Sequence, residues 1–558
     1  MAESIVSSYG FAATALVVAC AGLLYWHLLP KPLQGIPYNR KSATRLLGDL
    51  PDMLKWSSST GEPFYFLPKL CQDLASPIVQ VFLFPGTKPC VVLADGQEAY
   101  DIMLRRTNEF DRSPFFADTF RAWLPNSLPA LASNEEWKHQ RRIFSDTMAP
   151  SFLQRVNAPR VHEAYTQLLD LWTKKVEIVG DALVDVDKDI LYATLEALWA
   201  SNFGRSSGAL KLQAENFSLP WKTDPVTGAV VFQDAMLPDE VACTIVLPNS
   251  SQIAINSPFG VAHQIIAVAV VPKLRKAMKA KRRLVDTEIA AAVRRLAEKE
   301  KDADDMTCAA DVMISRAQRL GEGLYSSAMR DDVFTYIVGG FDTTATTIRW
   351  GVLLLAAHQN AQIRLRTAIE QVHGLSSVPN TEAIIRASMP YLDAVIEEVI
   401  RLGDPVPANM RVATCDTQVL GCHIPKGTEV IFPTWGPTHT SPGFPVNEKM
   451  RSSTSQEHGG KIGSWDESDM HEFKPERWLK QDRNGQEAFD QFAGPGEYFS
   501  PFAFSEMLVH DSWSLADLIS LSHRLRGRSK RLSGKEIGST ADADFLHACV
   551  LAIRILAY

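Results

Sequence analysis

Apolar residues recur with helical spacing along most of the chain, whereas runs typical of strands are short and few. Helical periodicity is strong around residues 135–175, 260–300, 328–372 and 383–402. The β-like runs IVQVFLF and PCVVLA lie near residues 78–94. This pattern predicts a mainly α-helical fold with a minor β-sheet.

One apolar stretch near the N-terminus carries no charge. Residues 10–29, GFAATALVVACAGLLYWHLL, number 20, and a helix of that length spans about 30 Å, the thickness of a bilayer's hydrocarbon core. The stretch predicts a single-pass transmembrane helix, with residues 1–30 as a membrane anchor. Basic residues alone follow it, at Lys31, Arg40, Lys41 and Arg45, which predicts that the remainder faces the cytosol. A cleaved signal peptide is the alternative, but no Lys or Arg precedes the stretch.

The rest of the chain predicts one large domain followed by a different tail. Two polar stretches, at residues 204–257 and 438–468, interrupt the helical pattern and are interpreted as surface excursions. The core-like pattern ends near Ser505. We therefore predict a domain over residues 31–505 and an aberrant tail over 506–558.

Charge and cysteine usage exclude several classes of protein. The chain has 57 Lys and Arg against 64 Asp and Glu, a net charge of -7, which argues against binding nucleic acid through bulk positive charge. The eight cysteines show no C-x-x-C spacing, so neither a disulfide framework nor a structural zinc site is predicted. No G-x-x-x-x-G-K-[ST] occurs, and the G-E-G at residues 321–323 lacks a third glycine, so NADPH is not expected to bind this chain directly.

The segment DDVFTYIVGGFDTTATTIRW contains the first candidate chemistry. Gly339 and Gly340 each cost a helix about 1 kcal/mol relative to alanine, so a helix with both in its middle is expected to bend or open there. Asp342 and Thr343 follow, and a carboxylate beside a hydroxyl can deliver protons to a small ligand. A packing kink is the alternative interpretation.

Two further segments supply a carboxylate and several guanidinium groups. Glu398 and Arg401 in EEVIRL lie at i and i+3 on one helix face, and Arg477 follows in FKPERWL. A carboxylate held by two guanidinium groups forms a rigid network suited to a buried junction. Arg411 lies between them in an extended segment.

The segment EEWKHQRRIF places Trp137 and Arg141 at i and i+4 on one helix face. Together they can present an N–H donor and a cation to the carboxylates of a large apolar cofactor. A solvated amphipathic helix is the alternative.

Taken in order, W-x-x-x-R, G-G-x-D-T-T, E-x-x-R and F-x-P-E-R-W resemble the cytochrome P-450 family of heme-thiolate monooxygenases, and the N-terminal stretch resembles its microsomal eukaryotic members. The likeness extends to about residue 504. It implies the cytochrome P-450 fold, heme b with its iron as cofactor, and electrons from NADPH supplied through a separate reductase. It also implies dioxygen and an apolar small molecule as substrates, contact with membrane lipid, attachment to the endoplasmic reticulum, and a role in secondary metabolism.

The resemblance also implies roles for the residues that match its motifs. Trp137, Arg141 and Arg411 would contact the heme propionates. Gly339 and Gly340 would open the central helix to dioxygen, and Asp342 and Thr343 would relay protons. Glu398, Arg401 and Arg477 would form a structural triad.

The family's metal-ligating motif, F-x-x-G-x-R-x-C-x-G, is missing. Alignment on Phe504 puts Met507, Val509, Asp511 and Trp513 at its Gly, Arg, Cys and Gly positions. The only later cysteine, Cys549, lacks the motif's neighbours and is not assigned, so the metal ligand is unknown. Two interpretations follow: the reading frame or splice pattern diverges near Ser505, or the chain is a catalytically inactive relative.

A different enzyme class has one motif in its favour. Residues 204–208 fit the G-x-S-x-G elbow of α/β-hydrolases, with Ser206 as nucleophile. The elbow requires a preceding strand, whereas ALEALWASNF has a helical pattern, so a hydrolase is disfavoured.

Overall fold

A computed structural model describes residues 2–180, 182, 184–216, 221–225, 228–255, 257, 259–298, 306–374, 379–403, 405–459, 465–490 and 493. The predicted tail at 506–558, including Cys549, lies outside the described residues. The chain divides into two compact units, each treated separately below. The first comprises Met1–Ser113 and Pro407–Ile462, and the second comprises Pro114–Val406 and Gly463–Tyr558.

The first unit contains a five-stranded sheet and a few helices. Its helices are α1 (Ala2–Leu28), α2 (Leu50–Thr60), α3 (Phe66–Asp73), α4 (Gly96–Leu104) and α20 (Ser453–His458). Its strands are β1 (Ile78–Val81), β2 (Cys90–Leu93), β3 (Phe110–Arg112), β6 (Ala408–Ala413), β7 (Thr417–Val419), β8 (Cys422–Ile424) and β9 (Glu429–Pro433).

The strands of this sheet follow the order β1-β2-β9-β6-β3, and β7 and β8 form a separate pair. Only β2 and β9 run parallel; the other neighbouring strands are antiparallel. All four residues of β1 are buried, including Gln80, whose Nε2 donates to the carbonyls of Leu33 and Ile36 at 2.9 and 2.7 Å. The strands predicted near residues 78–94 are thus confirmed as β1 and β2.

The second unit is mostly helical. Its longer helices are α5 (Pro114–Arg121), α6 (Glu135–Phe144), α8 (Ala158–Val179), α9 (Asp187–Phe203), α11 (Asp239–Asn249), α13 (Gly260–Val270), α14 (Pro272–Ala297), α15 (Ala309–Arg319), α16 (Ser327–Ala357), α17 (Gln359–His373) and α19 (Pro390–Gly403). Its shorter helices are α7 (Pro150–Phe152), α10 (Ala209–Glu215), α12 (Ser251–Ile255) and α18 (Thr381–Arg386). Its strands form two pairs: β4 (Lys222–Thr223) with β5 (Val230–Val231), and β10 (Leu479–Gln481) with β11 (Glu487–Phe489).

The core of the second unit surrounds α16. Most residues along this 31-residue helix are buried, and it packs against α9, where Asn202 Nδ2 donates to the Val333 carbonyl at 3.0 Å. At the C-terminal end of α19 a glycine permits close helix packing. A Cβ atom on Gly403 would lie 2.7 Å from Trp350 Cβ, so a larger side chain would push α19 away from α16.

The apolar N-terminal stretch lies within α1, which begins before the predicted segment. Across the part of the chain that the structure describes, none of the helices is both long and apolar enough to cross a bilayer. The predicted anchor therefore lacks support from the structure.

The two predicted surface excursions are only partly on the surface. Residues 204–257 include α10 and α11, and Val241, Cys243 and Leu247 of α11 are buried in the core. Within 438–468, Arg451 is buried against Asp95, with one N–O distance of 2.9 Å. The polar sequence was misleading here because buried ion pairs and a short helix can hold a polar segment against the protein.

The turn that contains Ser206 follows a helix. α9 ends at Phe203, and Gly204 and Gly208 adopt left-handed conformations. Ser206 Oγ accepts a hydrogen bond from the Gly208 amide at 2.9 Å. A nucleophile elbow joins a strand to a helix, so this turn does not have the hydrolase geometry.

Candidate functional site

Glu398 is the centre of a buried charge network in the second unit. Its fully buried carboxylate accepts two bonds from Arg401, at 2.8 and 2.7 Å, and one from Arg477 Nε at 3.1 Å. Arg401 is one helical turn further along α19, so their spacing alone brings the pair together. Arg477 comes from a 3₁₀ turn that starts at Pro475. The structure thus brings together the three side chains predicted to form the triad.

Two groups outside the predicted triad also bind this carboxylate. Trp478 Nε1 donates to Oε2 at 2.9 Å, and the Lys474 amide donates to Oε1 at 2.8 Å. Charge-assisted bonds of this kind are stronger than neutral ones. One carboxylate therefore fixes both ends of the turn formed by residues 474–478 against α19.

The guanidinium groups of the network have further partners. Arg401 donates to the carbonyls of Met470 and Glu472 at 2.6 and 3.0 Å, and Arg477 donates to Asp469 Oδ1 at 2.9 Å. Both guanidinium groups also lie over the Trp465 ring, 5.4 and 5.3 Å from its centroid. These cation–π contacts stabilise two positive charges in one buried place.

The middle of α16 has an open patch beside buried residues. Gly339 and Asp342 are exposed and Thr343 is half-buried, while their neighbours Gly340 and Phe341 are buried. A Cβ atom at Gly339 would meet no atom within 4 Å. The patch therefore leaves space for a group to approach the helix backbone closely.

The predicted opening of the helix at Gly339 and Gly340 is not observed, because α16 is helical without a break from Ser327 to Ala357. A side-chain bond occurs there instead. Thr343 Oγ1 donates to the Gly339 carbonyl at 3.1 Å and lies 3.5 Å from the Gly340 carbonyl. Such a bond to the preceding turn satisfies the hydroxyl locally and tends to bend a helix rather than break it.

Asp342 keeps an exposed edge, yet the protein around it removes enough water to raise the pKa of its carboxyl group. Arg349 acts in the opposite direction, and the negative charge of Asp187 raises the pKa further. Arg349 binds Asp187 at 2.5 Å, which links the start of α9 to α16. A carboxyl group with a raised pKa holds a proton more readily than an ordinary aspartic acid and can take part in proton transfer.

Trp137 and Arg141 lie on one face of α6, as their spacing predicts. Asn134 caps this helix by accepting a bond from the Trp137 amide at 2.9 Å, and Glu135 and Glu136 occupy its first turn, which suits the helix dipole. The Arg141 guanidinium lies 5.3 Å from the centre of the Trp137 ring. The indole is 8% exposed, so this face points into the protein and is not a solvated surface.

Arg411 lies in the first unit, on β6, directly opposite Arg112 of β3. Opposed residues of antiparallel strands share a face, and both guanidinium groups are buried. Burial lowers the pKa of Arg411 to about 10, and Asp111 acts in the opposite direction. Two buried cations on one face form a site that suits carboxylate groups. Sequence reasoning missed Arg112, since nothing in FDRSP indicates its pairing with a strand 299 residues later.

Five of the seven described cysteines are buried or partly buried thiols. Burial raises the pKa of four thiols to about 12, namely Cys71, Cys90, Cys243 and Cys308. Over the described ranges, no cluster of three or more His, Cys, Asp or Glu side chains could hold a metal ion. Cys549 lies outside those ranges. The described residues thus fit the carboxylates of a large cofactor, but they do not include an identifiable ligand for its iron.

Comparison with known proteins identifies the family. The cytochrome P-450 family model matches residues 53–449. A cytochrome P-450 monooxygenase of Pestalotiopsis microspora is 34% identical over 508 residues, 88% of each chain, and one of Fusarium sporotrichioides is 34% identical over 499 residues, 84% of each. A third, from Dothistroma septosporum, is named as the monooxygenase of a cluster and is 35% identical over 30% of this chain and 55% of its own.

The chain belongs to the cytochrome P-450 family. Its enzyme class is therefore that of the monooxygenases, and the cofactor of the family is heme iron, reduced by a partner reductase. The expected mainly helical fold with a minor sheet is confirmed.

We predict that Glu398→Ala lowers the free energy of unfolding by about 3–5 kcal/mol, because it leaves two buried guanidinium groups without their carboxylate. Urea unfolding of the purified protein measures this loss. Glu382→Ala is the matched control, since its pair with Arg386 is exposed and such pairs contribute about 0–1 kcal/mol. A Glu398→Ala loss as small as that of the control would contradict the central role of this carboxylate.

Proposed function

We propose that this protein is a heme-dependent monooxygenase that inserts one oxygen atom of dioxygen into an apolar small molecule by hydroxylation or epoxidation. The observation that carries the proposal is the buried network of Glu398, Arg401 and Arg477, which reproduces the family's E-x-x-R and P-E-R pairing in three dimensions. Bound heme would supply the activation of dioxygen.

Several side chains would hold the cofactor by its carboxylates. In the second unit, Trp137 Nε1 and Arg141 of α6 would bind a propionate. In the first unit, Arg411 and Arg112 place two buried guanidinium groups on one face of the sheet, which suits a carboxylate. Gly339 and Gly340 would let the cofactor's oxygen-binding side approach α16 closely.

Asp342 and Thr343 would move protons along the open patch of α16. Burial raises the pKa of the Asp342 carboxyl, which favours its protonated form, and Thr343 Oγ1 can exchange its bond to the Gly339 carbonyl for one to a ligand. Electrons would come from an NADPH-dependent reductase. A role in secondary metabolism is supported by the relative that is named for a cluster.

In heme-loaded protein, Thr343→Ala is expected to raise several-fold the amount of hydrogen peroxide released per NADPH consumed. Without this hydroxyl, proton delivery to dioxygen would no longer keep pace with electron delivery. Peroxide and NADPH are measured together. Thr335→Ala is the control, since this threonine makes the same bond to a preceding carbonyl elsewhere on α16. Unchanged peroxide release in Thr343→Ala would refute the proton-relay role.

A catalytically inactive relative is the second candidate, and the missing F-x-x-G-x-R-x-C-x-G motif favours it. Heme content separates the two candidates. The monooxygenase proposal expects about one heme per purified chain, measured as its pyridine complex. Heme-free protein that is nevertheless folded would favour the inactive relative or a sequence that diverges near Ser505.

We also propose that the protein is attached to the endoplasmic reticulum membrane, with residues 1–30 as a single-pass anchor and the rest facing the cytosol. The uncharged stretch at 10–29 supports this. So does the exposed apolar surface of α13 and its flanks, where Phe259, Ile266 and Val270 are 75%, 59% and 61% exposed. The basic residues Lys273 and Arg275 follow directly and suit anionic headgroups.

Extraction of membranes with alkaline carbonate tests the anchor. An inserted helix keeps the protein in the membrane pellet, because carbonate removes proteins held only by charge. Release of most of the protein into the supernatant would contradict the anchor and leave the apolar face of α13 as the only lipid contact proposed.

A further inference from the structure

Asn126 lies in the segment between α5 and α6 and is hydrogen-bonded from two sides. Its backbone amide and its side-chain Nδ2 both donate to Asp331 Oδ2 of α16, at 3.0 and 3.1 Å. Its carbonyl accepts a bond from Gln140 Nε2 of α6 at 3.0 Å. A single residue therefore connects α6 with α16.

The carboxylate that holds Asn126 is itself fixed by a buried lysine. Lys281 of α14 donates from Nζ to Asp331 Oδ1 at 2.6 Å and to the Trp123 carbonyl at 2.6 Å. Lys281 and Asp331 are each 6% exposed. The ammonium group and the carboxylate thus bind the same short segment at residues 123 and 126.

Two more contacts attach the segment 123–128 to α16. The Leu128 amide donates to Asp332 Oδ1 at 3.1 Å, and the Trp123 ring meets the Phe334 ring edge-on at 6.4 Å. The segment 123–128 is therefore attached to α16 at three successive places. Gln140, which joins it to α6, is 4% exposed and lies between Trp137 and Arg141 in sequence.

We propose that the network of Lys281, Asp331, Asn126 and Gln140 positions α6 on α16, and thereby holds Trp137 and Arg141 where the cofactor's carboxylates bind. These four are positioning residues, because they act on the cofactor only through α6. The cofactor part of this inference rests on the proposed function, whereas the connection between α6 and α16 does not.

The network has features that a simple helix-packing contact does not need. Two charges are buried to hold one backbone segment, and burying an ion pair is seldom the cheapest way to gain stability, since apolar residues of similar volume often do as well. The charged groups add directional hydrogen bonds, and these bonds fix particular backbone atoms of residues 123–128. Such directional bonds suit a role in positioning.

Gln140→Leu tests the connection without removing a charge. We expect amide hydrogen exchange in residues 135–144 to become about tenfold faster, since one buried bond restrains local opening of α6, while exchange in α14 stays unchanged. Gln371→Leu, on the exposed face of α17, is the matched control. Unchanged exchange in α6 of Gln140→Leu would overturn the proposed connection.

The double variant Lys281→Met with Asp331→Leu is the second test. It replaces both charges by apolar side chains of similar volume, so no buried charge is left unpaired, but the Asn126 N–H groups and the Trp123 carbonyl lose their partners. The unfolding midpoint is therefore expected to fall, and α6 is again expected to exchange about tenfold faster. A double variant with wild-type exchange in α6 would show that the pair only fills space, and would overturn the proposal.

Hemin titration provides the readout that a purely structural role would not change. In both variants, hemin is expected to bind about tenfold more weakly than to the wild type and to the Gln371→Leu control. Faster exchange with wild-type hemin affinity would overturn the positioning role. If the wild type itself binds no hemin, the proposed function fails, while hydrogen exchange in α6 still decides whether the network connects α6 with α16.

Discussion

The burial of one carboxylate, Glu398, is the constraint on which this architecture depends. A buried carboxylate is costly unless its charge is matched and its oxygens are hydrogen-bonded. Here two guanidinium groups, an indole N–H and a backbone amide meet that requirement. Because three of these donors come from the turn at 474–478 and the fourth from α19, the requirement also fixes where that turn meets α19.

The buried guanidinium groups of the protein occur in two different surroundings. Arg401 and Arg477 share an internal carboxylate and an aromatic ring, so their charge is used within the fold. Arg411 is equally buried, but burial lowers its pKa to about 10, which means that its surroundings favour the charged form less.

Local spacing predicted those parts of the site that lie within one element. The i, i+3 pair of Glu398 and Arg401 and the shared face of Trp137 and Arg141 follow from helix geometry. Contacts that join distant segments did not follow from spacing. The opposition of Arg112 and Arg411 depends on strand register, and Asn126 meets Asp331 across 205 residues of chain.

The predictions from sequence were wrong where a local sequence pattern conflicted with tertiary packing. Adjacent glycines predicted that α16 bends or opens, but the helix continues without an opening because its flanks are buried and the Thr343 hydroxyl donates to the preceding turn. The polar stretch at 438–468 predicted a surface excursion, but Arg451 pairs with Asp95, the N-cap of α4, and the Thr454 hydroxyl donates to Asp101 of α4.

The central claim is that these residues form the site of a heme monooxygenase, and the carbon monoxide difference spectrum of the reduced protein tests it most directly. Heme bound to the folded, reduced protein is expected to give a Soret band, and the wavelength of that band reports whether a thiolate binds the iron. Folded protein with no heme signal would contradict the central claim.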